Sequence, residues 1–136
     1  MKEPIWVRDD VARAVHRRQL AEHGGADGVR DQGLLASALA RPRNLWAYGD
    51  PKPDLAALAA AYAFGVIKNH PFMNANKRTG YVLLRTFLLL NGLDVDAPPA
   101  EKYRTILSLA EGTLDESRLA DWIRGCVTES AAVIAG

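Results

Sequence analysis

The chain has 136 residues, the length of one ordinary domain, which is enough to bury a core without disulfides or a structural metal. Hydrophobic residues make up 49% of the chain and charged residues 24%, a balance that excludes a disordered chain and is typical of a soluble globular protein. Seventeen basic residues against sixteen acidic ones leave a net charge of +1, so charge gives no reason to expect direct binding to nucleic acid. One domain over residues 1–136 is expected.

No segment predicts export or membrane insertion. Residues 1–10 hold no apolar signal segment after Lys2, and Cys126 is the single cysteine. The longest apolar run, residues 81–90, is interrupted by Arg85 and is shorter than the roughly 20 residues that a membrane span requires. These features predict a cytoplasmic protein without a membrane partner.

The first third of the chain predicts two helices. Asp9 or Asp10 can cap a helix that runs to about His23, where Gly24 gives a stop. After a short connection, leucines recur at helical spacing over residues 32–40 and predict a second, short helix.

A flap is predicted next. Arg41-Pro42 is expected to end the second helix, because proline disfavours helical backbone in the residue before it. Residues 43–53 place aromatic side chains among Gly and Pro, a composition that indicates an exposed loop or small hairpin.

Two strongly apolar helices are predicted at the centre of the chain. Asp54 can cap a helix over residues 55–69 that is apolar on most faces. After His70-Pro71, residues 75–91 form a second apolar stretch that meets Gly92, a residue favoured just past a helix end. Both helices are expected to be buried.

The last part of the chain predicts two more helices. One covers residues 100–110, and the other starts near Leu114, because Thr113 and Glu116 have the spacing of a capping box. No strand is expected outside the flap. The predicted fold class is therefore all-α, a helical bundle around two central helices with a short flap or hairpin.

Polar residues concentrate in segment 70–78, His-Pro-Phe-Met-Asn-Ala-Asn-Lys-Arg, between the two central helices. Taken singly, its members have structural interpretations as a helix end, as caps or as a solvated first turn. Lys77 and Arg78 together are harder to explain, because cations in the first turn oppose the helix dipole. The free amides of a helix start favour an anion, and these two side chains leave the axis about 100° apart. The segment therefore predicts a phosphate site.

His70 lies across a five-residue loop from this predicted anion site. A neutral imidazole can take a proton from an alcohol near neutral pH, which makes His70 the candidate general base. Pro71 would fix the loop after it, and Phe72 is interpreted as an apolar peg that holds the loop against the core.

The same segment matches H-x-F-x-[DEN]-[AG]-N-[GK]-R, the pattern of the Fic family, and its Asn-Lys-Arg ending resembles the Doc branch of that family. Residues 28–50 and 60–72 also resemble the family, so the similarity covers roughly residues 5–125. The resemblance implies a Fic-type helical fold. It also implies group transfer to a protein hydroxyl, which is AMP transfer in most Fic proteins and phosphate transfer in Doc proteins.

The resemblance implies a role for each motif residue. His70 would activate the target hydroxyl, while Ala75 and Asn76 would hold and orient the nucleotide phosphates. Lys77 and Arg78 would neutralise the transferred group. Lys77 stands where the nucleotidylating motif has glycine, and its bulk and charge would invert the nucleotide. The terminal phosphate of ATP would then face His70 and move to a Thr or Ser hydroxyl.

Mg²⁺ is the expected cofactor, because it accompanies nucleotide phosphates. The Fic position that often carries an acidic metal ligand is Asn74 here. An amide oxygen can still bind Mg²⁺, so Asn74 is the candidate metal residue.

Two protein partners are implied by the same resemblance. Doc toxins are neutralised by a small antitoxin whose disordered tail folds onto the toxin, so a Phd-like antitoxin is expected. The family's inhibitory pattern S/T-x-x-x-E-[GN] has no match, since residues 108–112 are one residue too short, and this favours restraint in trans. Doc toxins modify a threonine of elongation factor Tu, the expected target. Trp46 and Tyr48 of the flap would dock it, although Trp46 could equally close the core.

Three other functions stay open. The same loop could transfer a nucleotidyl group, with only Lys77 arguing against it. Arg18 and His23 satisfy the R-x(4–6)-H spacing of the HEPN ribonucleases, although a solvated face explains them and His16 more simply. A non-catalytic interaction module would leave His70 without a chemical role. No zinc site is expected at either of the first two histidines, because no Cys or acidic partner lies at ligand spacing.

Overall fold

A computed structural model describes residues 2–130 of the chain. These residues form mostly helices, so the predicted all-α class is confirmed, and none of the described helices is both long and apolar enough to cross a lipid bilayer. The single domain predicted over residues 1–136 stays a prediction, and residues 1 and 131–136 lie outside the described part. The described elements are α1 (Asp9–His23), α2 (Gln32–Tyr48), α3 (Leu55–Asn69), α4 (Asn76–Leu90), β1 (Leu93–Val95), α5 (Pro99–Glu111), α6 (Glu116–Cys126) and β2 (Val127–Glu129).

Helices α3 and α4 form the centre of the molecule, as predicted. Alanine and branched aliphatic residues leave α3 without a polar face, and α2, α4 and α6 pack around it. The Asp54 carboxylate accepts a hydrogen bond of 2.9 Å from the backbone N–H of Ala57, so the predicted cap of α3 is confirmed. Because α3 and α4 are both largely buried, the loop that joins them is anchored at both ends in the core.

The end predicted for the second helix at Pro42 is wrong. Residues 43–48 continue α2, and only residues 49–54 form the irregular connection to α3. A proline inside a helix costs about 3 kcal/mol. The apolar stripe of α2 outweighs this cost because it continues past the proline and packs against the core, with Leu35, Ala38, Leu39, Pro42, Leu45 and Trp46 as its members.

The expectation of no strand outside the flap is also wrong. β1 and β2 pair antiparallel, with Leu93 opposite Glu129 and Val95 opposite Val127. Three-residue strands are too short to give a periodic sequence signal. Their pairing ties the end of α6 to the chain that leaves α4.

Two helix starts differ from their predicted caps. Arg8 is the cap residue of α1, so Asp9 and Asp10 lie in the first turn. Their carboxylates interact favourably there with the positive end of the helix dipole. At α6 the Asp115 side chain accepts from the backbone N–H of Arg118, and the capping box predicted from Thr113 does not form.

Candidate active site

The chain between α3 and α4 turns at two residues with left-handed backbone. His70 ends α3 at φ +50° and ψ +53°, and Ala75 precedes α4 at φ +65° and ψ +26°. Residues with a Cβ adopt this conformation rarely, so surrounding contacts must hold both turns in place. Both turning residues border one concavity.

This concavity, of about 200 Å³, brings the predicted motif residues together. The side chains of His70, Lys77 and Arg78 are exposed there, whereas Asn76 is 6% exposed. The chain order places a candidate base on one side of the loop and two cations on the other. The lining residues are His70, Met73, Asn74, Ala75, Asn76, Lys77 and Arg78.

The first turn of α4 begins without a side-chain cap. Ala75 occupies the cap position and has no polar side-chain atom that could accept from the first amides. The backbone N–H groups of Asn76, Lys77 and Arg78 also lack acceptors within the helix. Such amides, at the positive end of a helix dipole, favour an anion.

Lys77 and Arg78 add two positive charges to this helix end. Within residues 2–130, neither forms an ion pair with a carboxylate. The Nη2 of Arg78 donates to the backbone oxygen of Gly24 at 3.3 Å, which directs its guanidinium toward the end of α1. A bound anion would relieve the repulsion between these cations and the helix dipole.

Comparison with known proteins places the chain in a family. A sequence model described as the Fic/DOC family matches residues 6–88, which include the whole loop and its two flanking turns. The chain belongs to the Fic/DOC family. "Toxin Doc" of Mycolicibacterium smegmatis (strain ATCC 700084 / mc(2)155) is 38% identical over 97 residues, covering 68% of this chain and 74% of that protein. "Protein kinase doc" of Escherichia phage P1 is 31% identical over 111 residues, covering 82% and 86%.

In this Fic/DOC chain, Asn76 closes the active-site loop. Its Oδ1 accepts from the backbone N–H of Phe72 at 3.1 Å, and its Nδ2 donates to the backbone oxygen of Phe72 at 3.0 Å. Both polar ends of the side chain are therefore engaged, which leaves the backbone amide of Asn76 to face a ligand. The phosphate-orienting role of Asn76 stays a prediction.

Phe72 holds the loop against the core. Its side chain is 1% exposed, which confirms the apolar peg, and its ring stacks on His16 with centroids 3.9 Å apart and planes 9° apart. The expectation that His16 belongs to a solvated face is wrong, because it is 2% exposed. Its spacing from Ala12 and Gln19, which are buried on the same face of α1, was the available signal.

Arg30 is a loop-positioning residue that sequence reasoning missed. Its Nε donates to the backbone oxygen of His70 at 2.7 Å, and its Nη2 donates to that of Asn69 at 2.9 Å. Its backbone N–H donates to Pro71 at 2.7 Å. Arg30 thus satisfies carbonyls at the end of α3 and fixes the backbone from which the His70 ring extends. No local pattern marks such a residue.

Asn74 does not fit the expected metal role. Its Oδ1 accepts from the backbone N–H of Ala26 at 2.7 Å, and its Nδ2 donates to the oxygen of Met73 at 2.8 Å. In the described part of the chain, no group of three or more His, Cys, Asp or Glu side chains could hold a metal ion. Mg²⁺ usually takes one or two protein carboxylates in addition to phosphates and water. Residues 2–130 therefore do not build a metal site of their own.

The loop or hairpin predicted over residues 43–53 is wrong for residues 43–48, because Trp46 and Tyr48 lie in the last turn of α2, outside the His70 concavity. Trp46 packs partly against the core, with the Lys52 Nζ 4.7 Å from its ring centroid, whereas Tyr48 is 84% exposed. Tyr48 borders a separate surface depression together with Arg41 and Asn44. Of the two, Tyr48 offers the more accessible ring to a partner.

The residues of the ribonuclease alternative do not form a comparable site. Arg18 pairs with Glu22 at 3.0 Å, and His23 Nε2 lies 3.8 Å from the other oxygen of the same carboxylate. The side chains of Arg18 and His23 are both exposed on α1. A surface ion-pair cluster explains them without catalysis.

Proposed function

We propose that this chain is the toxin of a type II toxin–antitoxin system and transfers the terminal phosphate of ATP to a Thr or Ser hydroxyl of a bacterial protein. The proposal rests on one observation: His70 shares a concavity with the uncapped start of α4, where Lys77 and Arg78 have no carboxylate partner among residues 2–130. The relatives' names, a toxin and a protein kinase, support it.

The start of α4 suits the phosphates of a nucleotide. Phosphate oxygens accept hydrogen bonds from the free amides, Lys77 adds a compact charge, and Arg78 adds a planar fork of donors. Charge builds on the leaving diphosphate as its bond to the terminal phosphorus breaks, and donors already in place stabilise it. Mg²⁺, where it takes part, would arrive with the nucleotide, because the Asn74 oxygen is engaged by Ala26.

His70 is the proposed base. Its side chain is exposed at the concavity, and Arg30 holds its backbone carbonyl. In the neutral form its ring accepts the proton of the target hydroxyl. The hydroxyl oxygen bonds to the terminal phosphorus as the bond from that phosphorus to ADP breaks. The products are a phosphoprotein, ADP and a protonated imidazole, which returns its proton to water.

Labelled ATP tests the reaction directly. The purified chain is incubated with a bacterial extract and ATP labelled at either the γ or the α phosphorus. Phosphotransfer predicts label in protein from the γ position alone. Label from the α position alone would replace the proposal with nucleotidyl transfer, and label from neither would leave the chain without transferase activity.

Variants of His70 test its role as a base. Its loss should slow transfer by about 10²- to 10⁴-fold while ATP binding stays near that of the wild type. His70→Asn is the better variant and His70→Ala the second, because asparagine tolerates the left-handed backbone at this position. Lys68→Ala, at an exposed position in the last turn of α3, is the matched control. Wild-type rates in both His70 variants would remove His70 from the mechanism.

The proposed target is elongation factor Tu, on the strength of the family resemblance. Brief expression of the chain followed by mass spectrometry of cellular proteins would identify the modified residue. A mass increase of one phosphoryl group on a threonine of elongation factor Tu is expected. The same increase on a different protein would keep the reaction and change the target.

A Phd-like antitoxin is the proposed restraint. An apolar groove of about 270 Å³ between α1, α4 and α5 shares Lys77 and Arg78 with the His70 concavity. A folded segment in this groove would cover both cations. Tyr103 lines the groove and is 69% exposed, so Tyr103→Asp should weaken rescue of growth by a co-expressed antitoxin while toxicity persists. Full rescue of that variant would place the antitoxin elsewhere.

A further inference from the structure

His16 reaches from α1 to the loop between His70 and α4 and contacts it at two points. Its ring stacks on Phe72, and its Nε2 lies 3.0 Å from the backbone oxygen of Asn74. We infer that His16 is a positioning residue that sets the shape of this loop for phosphate binding. The inference uses the proposed function only for its ATP readout.

The hydrogen bond fixes one peptide of the loop. A carbonyl oxygen only accepts, so Nε2 of His16 carries the hydrogen and donates it to Asn74. The C=O and N–H of a trans peptide point in opposite directions, which turns the amide of Ala75 away from His16. Ala75 lines the concavity and precedes the uncapped turn of α4. The orientation of this peptide therefore determines where the amides of the site lie.

Other hydrogen bonds hold the loop on both sides of this peptide, including the one from Ala26 to the Asn74 side chain, but none of them among residues 2–130 reaches the carbonyl of Asn74. The backbone of Phe72 pairs with the side chain of Asn76, and the N–H of Met73 donates to Gly28 at 3.0 Å. The carbonyl of Asn74 is held by His16. Removal of this donor would leave the carbonyl unpaired beside a left-handed residue that depends on its surroundings.

Two kinds of substitution separate the ring of His16 from its donor. His16→Phe keeps a ring that can stack on Phe72 but has no donor, and His16→Met is a second donor-free variant should the first not fold. His16→Gln places a donor nitrogen the same number of bonds from Cα and lacks the ring. Arg18→Gln is the control, because Arg18 is exposed on the same helix and pairs with Glu22.

The readouts are the Kd for ATP and hydrogen–deuterium exchange of amides 72, 73 and 79, which donate to Asn76, Gly28 and Ala75 on either side of the peptide. Both are measured on variants shown to be folded by urea titration. The donor-free variants should exchange faster at these amides and bind ATP about tenfold or more weakly, because small displacements of positioned groups have large effects. His16→Gln and Arg18→Gln should stay within about threefold of the wild-type Kd.

Unchanged exchange and ATP affinity in a folded donor-free variant would overturn the inference. Equal losses in His16→Gln and His16→Phe would overturn it too, because they would assign the effect to packing alone. A wild-type chain that binds no ATP would defeat the proposed function, while the exchange comparison would still decide the role of His16. If the wild-type chain transfers phosphate and the donor-free variants show unchanged exchange, the proposed function stands and only the inference about His16 fails.

Discussion

The side chain of Asn76 binds the backbone of Phe72 twice, once as acceptor and once as donor. It thereby satisfies both main-chain polar groups of a residue whose ring is buried in the core. This pairing joins the first residue of α4 to the middle of the active-site loop. The anchored Phe72 and the start of α4, with its free amides, are thus joined by direct hydrogen bonds.

Replacement of Asn76 should therefore lower stability. Asn76→Ala leaves the N–H and C=O of Phe72 without partners in a buried setting, and a loss of about 2–4 kcal/mol in the free energy of unfolding is expected. Urea denaturation measures it, with Asn44→Ala, at an exposed position of α2, as the control. A loss as small as that of the control would mean that water replaces the pairing.

Removal of Arg30 should slow the reaction more than it weakens nucleotide binding. Arg30 holds the carbonyls of Asn69 and His70, whereas the proposed phosphate donors belong to α4. Arg30→Lys keeps the charge but lacks the fork that reaches two carbonyls, so kcat should fall about tenfold or more with KM for ATP little changed. Arg104→Ala, at an exposed site on α5, is the control. A rise in KM for ATP at constant kcat would contradict this prediction, because it would show that Arg30 supports nucleotide binding and not the position of His70.

The Asp54–Arg124 pair should make stability depend on pH in the acid range. The guanidinium of Arg124 donates two hydrogen bonds to Asp54 and lowers the pKa of that carboxyl below its ordinary value of 3.8. The folded pKa lies below the unfolded one, so the stabilisation is present above about pH 4 and is lost as pH falls through the folded pKa.

Asp54→Asn isolates this effect, because asparagine keeps the cap of α3 but not the charge. Both partners are substantially exposed, so the variant should be less stable at pH 7 by less than about 1 kcal/mol. The difference should shrink below about pH 3. Asp115→Asn is the control, since Asp115 caps α6 and has no ion pair among residues 2–130. A difference in unfolding free energy between Asp54→Asn and the wild type that stays constant from about pH 2 to about pH 7 would contradict the assignment of this effect to the ion pair.

Local chemistry made the central helices and the motif predictable. Asp54 is recognisable as a cap from its own side chain, and the predicted range 55–69 agrees with α3. His70, Lys77 and Arg78 are close in sequence, so one pattern could group them before the fold was known. The polar side chains of a loop between two buried helices must also face the same stretch of surface, which made their grouping into one site predictable.

Contacts between distant residues were beyond the reach of sequence patterns. His16 and Arg30 meet the loop across separations of 58 and 40 residues. The helix end predicted at Pro42 was wrong for the opposite reason. Proline is a strong local signal for a helix end, but burial of the apolar α2 stripe against the core outweighed it. Asn74 resembled a ligand, but its oxygen is engaged by Ala26, a contact that only the fold reveals.

The close approach of α3 and α4 yields a last prediction, because these two helices carry the two sides of the site. A Cβ added at Gly80 would lie 2.8 Å from Cγ1 of Ile67 and 3.4 Å from the backbone oxygen of Ala63. Gly80→Ala must displace Ile67 or separate the helices, so a loss of about 1–3 kcal/mol in unfolding free energy is expected despite the better helix propensity of alanine.

Gly125 of α6 is the matched control for this prediction, since a Cβ there would meet no atom of the described residues within 4 Å. Gly125→Ala should raise the free energy of unfolding by about 0.4–1 kcal/mol, because alanine restricts the unfolded chain without a clash. The two substitutions should therefore move the urea midpoint in opposite directions. A rise in both midpoints would show that the α3–α4 contact accommodates an added methyl group. Tight packing of these two helices would then not determine the shape of the loop between them.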